Sequence, residues 1–123
     1  MKDWISEKLN GRNLVIAILA CYAVVAVFSL VPDTYRPRVP GVPDTIEHIA
    51  AYAMLGLLTA TLLGRAVALP VIFGAIVAYA GALEIAQTLV PCRSASLRDL
   101  VASGIGALIG VTASSYLKPL LRA

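Results

Sequence analysis

An all-α membrane protein is the fold this sequence predicts: one domain over residues 1–123, built as a bundle of four transmembrane helices. Three observations predict it. Apolar residues make up 59% of the 123 residues and charged residues only 14%, whereas a soluble domain carries about 25% charged residues. The apolar residues gather into four runs, each near the ~20 residues that cross a ~30 Å hydrocarbon core as a helix. The runs are continuous and rich in Ala and Leu instead of alternating, which excludes the strands of a membrane barrel.

The first run is "NLVIAILACYAVVAVFSLV", residues 13–31. It is long, and no clean small-residue cleavage site follows, so it reads as a retained helix and not a signal peptide. The second occupies residues 46–63, the third residues 66–90 and the fourth residues 100–117. The connection "PDTYRPRVPGVPDT" holds four prolines and one glycine, so it is expected to be extended and semi-rigid. The others, around Gly64 and Arg65 and at "PCRSASLRD", are short. Cys21 and Cys92 form no CxxC or Cys/His pair. Both read as structural thiols, and no metal site or cofactor is expected.

Basic residues orient the bundle. Lys2, Lys8, Arg12, Arg65, Lys118 and Arg122 fall on one side, and Arg36, Arg38, Arg93 and Arg98 on the other, six against four. The positive-inside rule then places both termini in the cytoplasm of a multi-pass protein of the cytoplasmic membrane. No basic block interleaved with aromatics exists, which argues against nucleic acid as a partner.

Polar residues collect at the opposite, outer end. Glu84 lies seven residues before Pro91, roughly 10 Å below that helix end at 1.5 Å per residue; Gln87 lies one turn above it on the same face. An ionisable side chain at such depth normally faces a bundle interior or a wet cavity. His48, Tyr52, Gly56 and Ala60 are spaced by four and form a stripe descending from the same end. "DTIE" (residues 44–47) and "SLRD" (residues 96–99) have the form of capping boxes, with Asp44 and Ser96 as caps; Asp99 can cap and also face inward. Ala102, Gly106, Gly110 and Ser114 form a small-residue ladder suited to close helix packing.

These residues group into a candidate site. His48, Glu84 and Asp99 are the candidates for acid–base chemistry, since histidine titrates near neutral pH and burial favours a neutral carboxyl. Asp44, Tyr52, Gln87, Arg93, Ser96 and Ser103 are the candidate binding residues, with Arg93 placed to hold an anion beside two helix N-termini. His48 or Tyr52, together with Arg93, is expected within hydrogen-bonding or single-water reach of Glu84, and Asp99 is expected to approach Arg93.

The series Asp44, His48, Tyr52, Gly56, then Glu84, Gln87, Pro91, Arg93, Ser96, Asp99, then Ser103, Gly106, Gly110 resembles the VanZ-like membrane proteins over about two thirds of the chain. Two positions depart from that pattern: Thr45 stands where the family usually has Lys, and Ser103 where it usually has Asn. The resemblance implies a small bacterial membrane protein, and its namesake's association with teicoplanin resistance implies work on the cell envelope. The expected partner is a membrane lipid or a lipid-linked envelope precursor with an anionic headgroup; a homo-oligomer is possible. Two other readings stand beside this one: a proton-coupled small transporter using Glu84, and a non-catalytic module that binds an envelope protein. Transporter sites usually lie near the midplane, which the position of the polar residues does not favour.

Overall fold

A computed structural model describes residues 11–31, 40–41, 43–64, 66–90 and 96–122. The described residues form four helices, α1 (Gly11–Leu30), α2 (Asp44–Leu63), α3 (Leu69–Gln87) and α4 (Leu97–Arg122). The predicted bundle is present. Thr45–Leu63, Leu69–Gln87 and Leu97–Leu117 are each long and apolar enough to cross a membrane, and α1 carries a shorter apolar stretch, Val15–Leu30.

The exposed side chains have the character a lipid solvent requires. Ile16, Leu19, Val24, Val27 and Phe28 on α1, Val71 and Ile85 on α3, and Val101, Leu108 and Ile109 on α4 all face outward. A water-soluble monomer rarely exposes so much contiguous apolar surface.

Chain punctuation sets the helix ends. Gly41 turns with φ +79, a conformation that costs glycine little and other residues more. Pro43 follows in an extended conformation and is the N-cap of α2; its carbonyl accepts from the amides of Ile46 and Glu47. Asp44 is therefore the first helical residue and Pro43 the cap; the capping box expected at residues 44–47 depends on the Asp44 side chain, which lies outside the described residues. Helix α3 also ends sooner than the apolar run suggested. Thr88, Leu89 and Val90 donate to Ile85, Ala86 and Gln87, tighter three-residue turns that unwind the helix ahead of Pro91. A residue preceding proline is disfavoured in the α conformation.

Helix α2 is the centre of the bundle and lies closest to α4. A Cβ at Gly56 would stand 2.7 Å from the Ala107 carbonyl oxygen, one at Gly106 would meet the Ile49 carbonyl, and one at Gly110 the Ala53 carbonyl and Leu57 amide. Residue numbers rise together along both helices, so α2 and α4 run parallel. The small-residue ladder thus does what its spacing suggested, with Ala102, Gly106, Gly110 and Ser114 all buried. In lipid, the gain is van der Waals contact between backbones, since moving apolar side chains from lipid to protein supplies little.

Helix α3 runs antiparallel to both, joined to α2 through Gly64–Ala68. Its buried face is Ile72, Ile76, Ala80, Glu84 and Gln87, a stripe at intervals of four, four, four and three. Tyr52, Leu55 and Ala60 from α2 and Ala107 and Val111 from α4 complete the core with Ile72, Ile76 and Ala80. Helix α1 leans on α2 and α3 through Cys21, Tyr22 and Val25. Cys21 is a half-buried free thiol, whereas Cys92 lies outside the described residues.

Candidate functional site

The N-termini of α2 and α4 and the C-terminus of α3 share one end of the bundle, and there the structure brings His48, Glu84 and Asp99 together. One ligand-type atom from each lies within 4.8 Å of the other two. Each residue comes from a different helix. His48 is in the second turn of α2, Asp99 in the first turn of α4, and Glu84 one turn before the end of α3.

The local folding of α4 explains how two carboxylates come to face one imidazole. Ser96 immediately precedes α4 and acts as its cap: Asp99 N donates to Ser96 Oγ at 3.2 Å. In a closed capping box the acidic residue at the third position would reach back to the cap's own amide. Here Glu84 of α3 takes that place, with Ser96 N donating to Glu84 Oε2 at 2.8 Å. Asp99 is thereby released from capping, and its Oδ2 lies 3.9 Å from His48 Nε2. The sequence predicted a self-contained box at residues 96–99; half of it is formed within α4 and the other half between helices.

Burial is graded across the cluster. Glu84 is 8% exposed, while the side chains of His48 and Asp99 are 13% and 19% exposed. Glu84 thus forms the floor, and the imidazole and second carboxylate form the side that reaches the surface. Because α3 ends at Gln87, Glu84 lies only about 4.5 Å from the helix end at 1.5 Å per residue. That is shallower than the ~10 Å expected from a helix running to Pro91. The N-terminal ends of α2 and α4 contribute positive partial charge near the carboxylates.

The other predicted site residues divide. Ser103 Oγ donates to the Asp99 carbonyl at 2.9 Å and engages the Tyr52 hydroxyl. The two buried hydroxyls thus meet between α2 and the first turns of α4. Tyr52 also lies within electrostatic range of Glu84, but its hydrogen bond goes to Ser103. Gln87 turns away: its Nε2 donates to the Ser29 carbonyl of α1 at 3.0 Å, so it anchors α1 and is not part of the cluster. Arg93 lies outside the described residues, as does the side chain of Asp44, and so do the expected approaches of Arg93 to Glu84 and Asp99. The partner of Asp99 in the described structure is His48.

A second polar cluster, which the sequence reading did not single out, lies deeper. Tyr79 donates its hydroxyl to the Tyr22 carbonyl at 2.6 Å. The Tyr22 hydroxyl shares a 2.9 Å hydrogen bond with Thr59 Oγ1. The two tyrosine rings meet edge to face, centroids 4.9 Å apart at 82°, a favoured aromatic geometry. The available signal was the presence of tyrosines inside apolar runs, since a buried tyrosine hydroxyl needs a partner.

A bundle whose helices are long and apolar enough to cross a membrane, carrying an imidazole and two carboxylates at one end, defines a class: small multi-pass membrane proteins with an ionisable cluster at one end of the bundle. The chain belongs to the VanZ/LLP1 family, whose profile matches residues 6–118. Comparison with curated proteins and with solved structures found no match.

Proposed function

We propose that the His48–Glu84–Asp99 cluster binds, and by acid–base chemistry processes, the anionic headgroup of a membrane lipid or lipid-linked envelope precursor at the outer face of the cytoplasmic membrane. One observation carries this reading: three titratable side chains from three helices converge within 4.8 Å, with two of them reaching the surface. Structural glue has no need of that composition. Ionisable groups in membrane segments are costly and are kept mainly for function. The position at the end of the bundle is the depth at which a headgroup lies, and differs from the midplane sites of transporters. Arg98, exposed in the first turn of α4, adds a cation at this level. Family membership supports a role at the cell envelope, and teicoplanin resistance is the phenotype we expect it to serve.

The test is to purify the protein in mild detergent and analyse the phosphorus-containing lipids that remain bound. Enrichment of one headgroup class in wild type, lost in Glu84→Gln and Asp99→Asn, is the expected result. The same unselective lipid mixture on all three proteins would refute the reading.

A further inference from the structure

The geometry points to a divalent transition-metal site formed by His48, Glu84 and Asp99, in which the metal offers an open coordination position to the headgroup phosphate. This second half, and the charge argument that follows, rest on the headgroup reading above; the ligand geometry of the metal site does not.

Charge is the first argument. The cluster contains two carboxylates and one imidazole, and Glu84 at its floor is more than nine-tenths buried. Two carboxylates repel a phosphate, and a histidine alone offsets at most one of them. A site meant for an anion therefore needs a further positive charge within it. A divalent ion held by the same three residues supplies it, and converts the acidic lining from an obstacle into the ligand set. Bound metal ions are often the largest local charge in a site and set its electrostatics.

Geometry is the second. Ligand atoms around a metal at ~2.1 Å stand roughly 3.0–3.4 Å apart in octahedral or tetrahedral arrangements. His48 Nε2 and Asp99 Oδ2 are already 3.9 Å apart, and all three ligand atoms fit within 4.8 Å. Closing the set from these separations takes less than about 2 Å of side-chain movement. The supporting contacts are also in place. Glu84 is held through Oε2 by the Ser96 amide, and the Asp99 backbone is pinned by Ser96 Oγ and by the Ser103 hydroxyl. Such outer contacts orient ligands and tune metal sites.

Chemistry selects the ion. One imidazole nitrogen with two carboxylate oxygens favours Zn²⁺ or Mn²⁺ over Mg²⁺ or Ca²⁺, which prefer all-oxygen shells. Three protein ligands leave coordination positions open, as in metal sites that bind a substrate and not merely brace a fold.

The test uses the full-length protein in detergent, stripped with a chelator and titrated with Zn²⁺ alone by calorimetry. One ion per chain is expected. Glu84→Gln, Asp99→Asn and His48→Gln should each weaken binding by more than about tenfold, a loss that even outer contacts can cause, while Tyr79→Phe leaves it unchanged. Thermal melts of each variant separate loss of a ligand from loss of fold, and three substitutions on three helices keep the test independent of any one variant's folding. Absence of saturable Zn²⁺ binding by wild type overturns the proposal, as does binding insensitive to all three substitutions. The same stripped and Zn²⁺-loaded proteins are then assayed on nanodiscs containing an anionic phospholipid. Headgroup binding that needs Zn²⁺ supports the bridging role, and headgroup binding equal in both forms overturns it. Zn²⁺ binding without any headgroup preference overturns the headgroup reading and leaves the metal site standing.

Discussion

Two polar clusters occupy one bundle, five residues apart on α3, and they are built in opposite ways. Around Tyr79 every hydrogen bond closes on another protein group: Tyr79 on the Tyr22 carbonyl, Tyr22 on Thr59. Its members are hydroxyls, which stay neutral at physiological pH. The cluster joins α1, α2 and α3. Around Glu84 the members are ionisable side chains, one from each of three helices. Glu84 holds the α4 cap through Oε2, and Asp99, freed from capping, faces His48 at 3.9 Å, longer than a hydrogen bond. Polarity in a membrane bundle is therefore not in itself a sign of function. Hydroxyls paired across helices hold the helices together; ionisable groups from three helices converging at the bundle end mark a candidate site.

Substitutions can break or sharpen that contrast. The largest effect is expected away from both clusters, at the contact that sets the α2–α4 distance. Gly110→Leu would drive a side chain into the Ala53 carbonyl and Leu57 amide, costing about 3 kcal/mol or more. Because His48 and Asp99 sit on those same two helices, headgroup retention should fall with stability, as a thermal melt and lipid analysis of one preparation would reveal. Tyr79→Phe removes the hydroxyl donated to Tyr22 and should cost about 1 kcal/mol in stability with lipid retention unchanged. Loss of retention in that variant would erase the distinction between the clusters. Ser96→Ala deletes the cap of α4, at about 1 kcal/mol, and frees Asp99 N. Reduced retention here, from a residue that contributes no charge, would establish that the α4 cap positions Asp99. Thr59→Val should have the smallest effect, near the ~0.6 kcal/mol average for hydrogen bonds between membrane helices, measured by the same melt.

Much of this was legible in the sequence because it depends on periodicity. Four apolar runs became four helices, and the ladder of Ala102, Gly106, Gly110 and Ser114 became the α2–α4 contact. The grouping of His48, Glu84 and Asp99 was also within reach, since all three fall near helix ends on one side. The interval of four from Ile72 through Ile76 and Ala80 to Glu84 carried a further signal: it aligns the carboxyl with the buried face of α3. What the sequence could not reveal depends on contacts between helices. The capping box at residues 96–99 looks complete in sequence, and only the approach of Glu84 from α3 opens it. Gln87 lies on the same face as Glu84, yet the proximity of Ser29 on α1 claims its amide. The metal-type ligand set escaped notice for the same reason: its members stand 36 and 15 residues apart, one per helix, with none of the short spacings by which metal motifs are recognised. Helix α3 was overextended because an apolar run does not reveal where α-turns tighten before a proline.

Glu84→Gln separates site from scaffold most directly. Glutamine keeps an acceptor for the Ser96 amide and nearly the same shape, but removes the charge. Thermal stability and retained phospholipid should be measured on the same purified sample. We expect a melt within about 1 kcal/mol of wild type together with loss of the enriched headgroup class. A variant that folds and keeps the headgroup class would contradict this, as would one that loses its fold, which would make Glu84 a brace for α4 and nothing more.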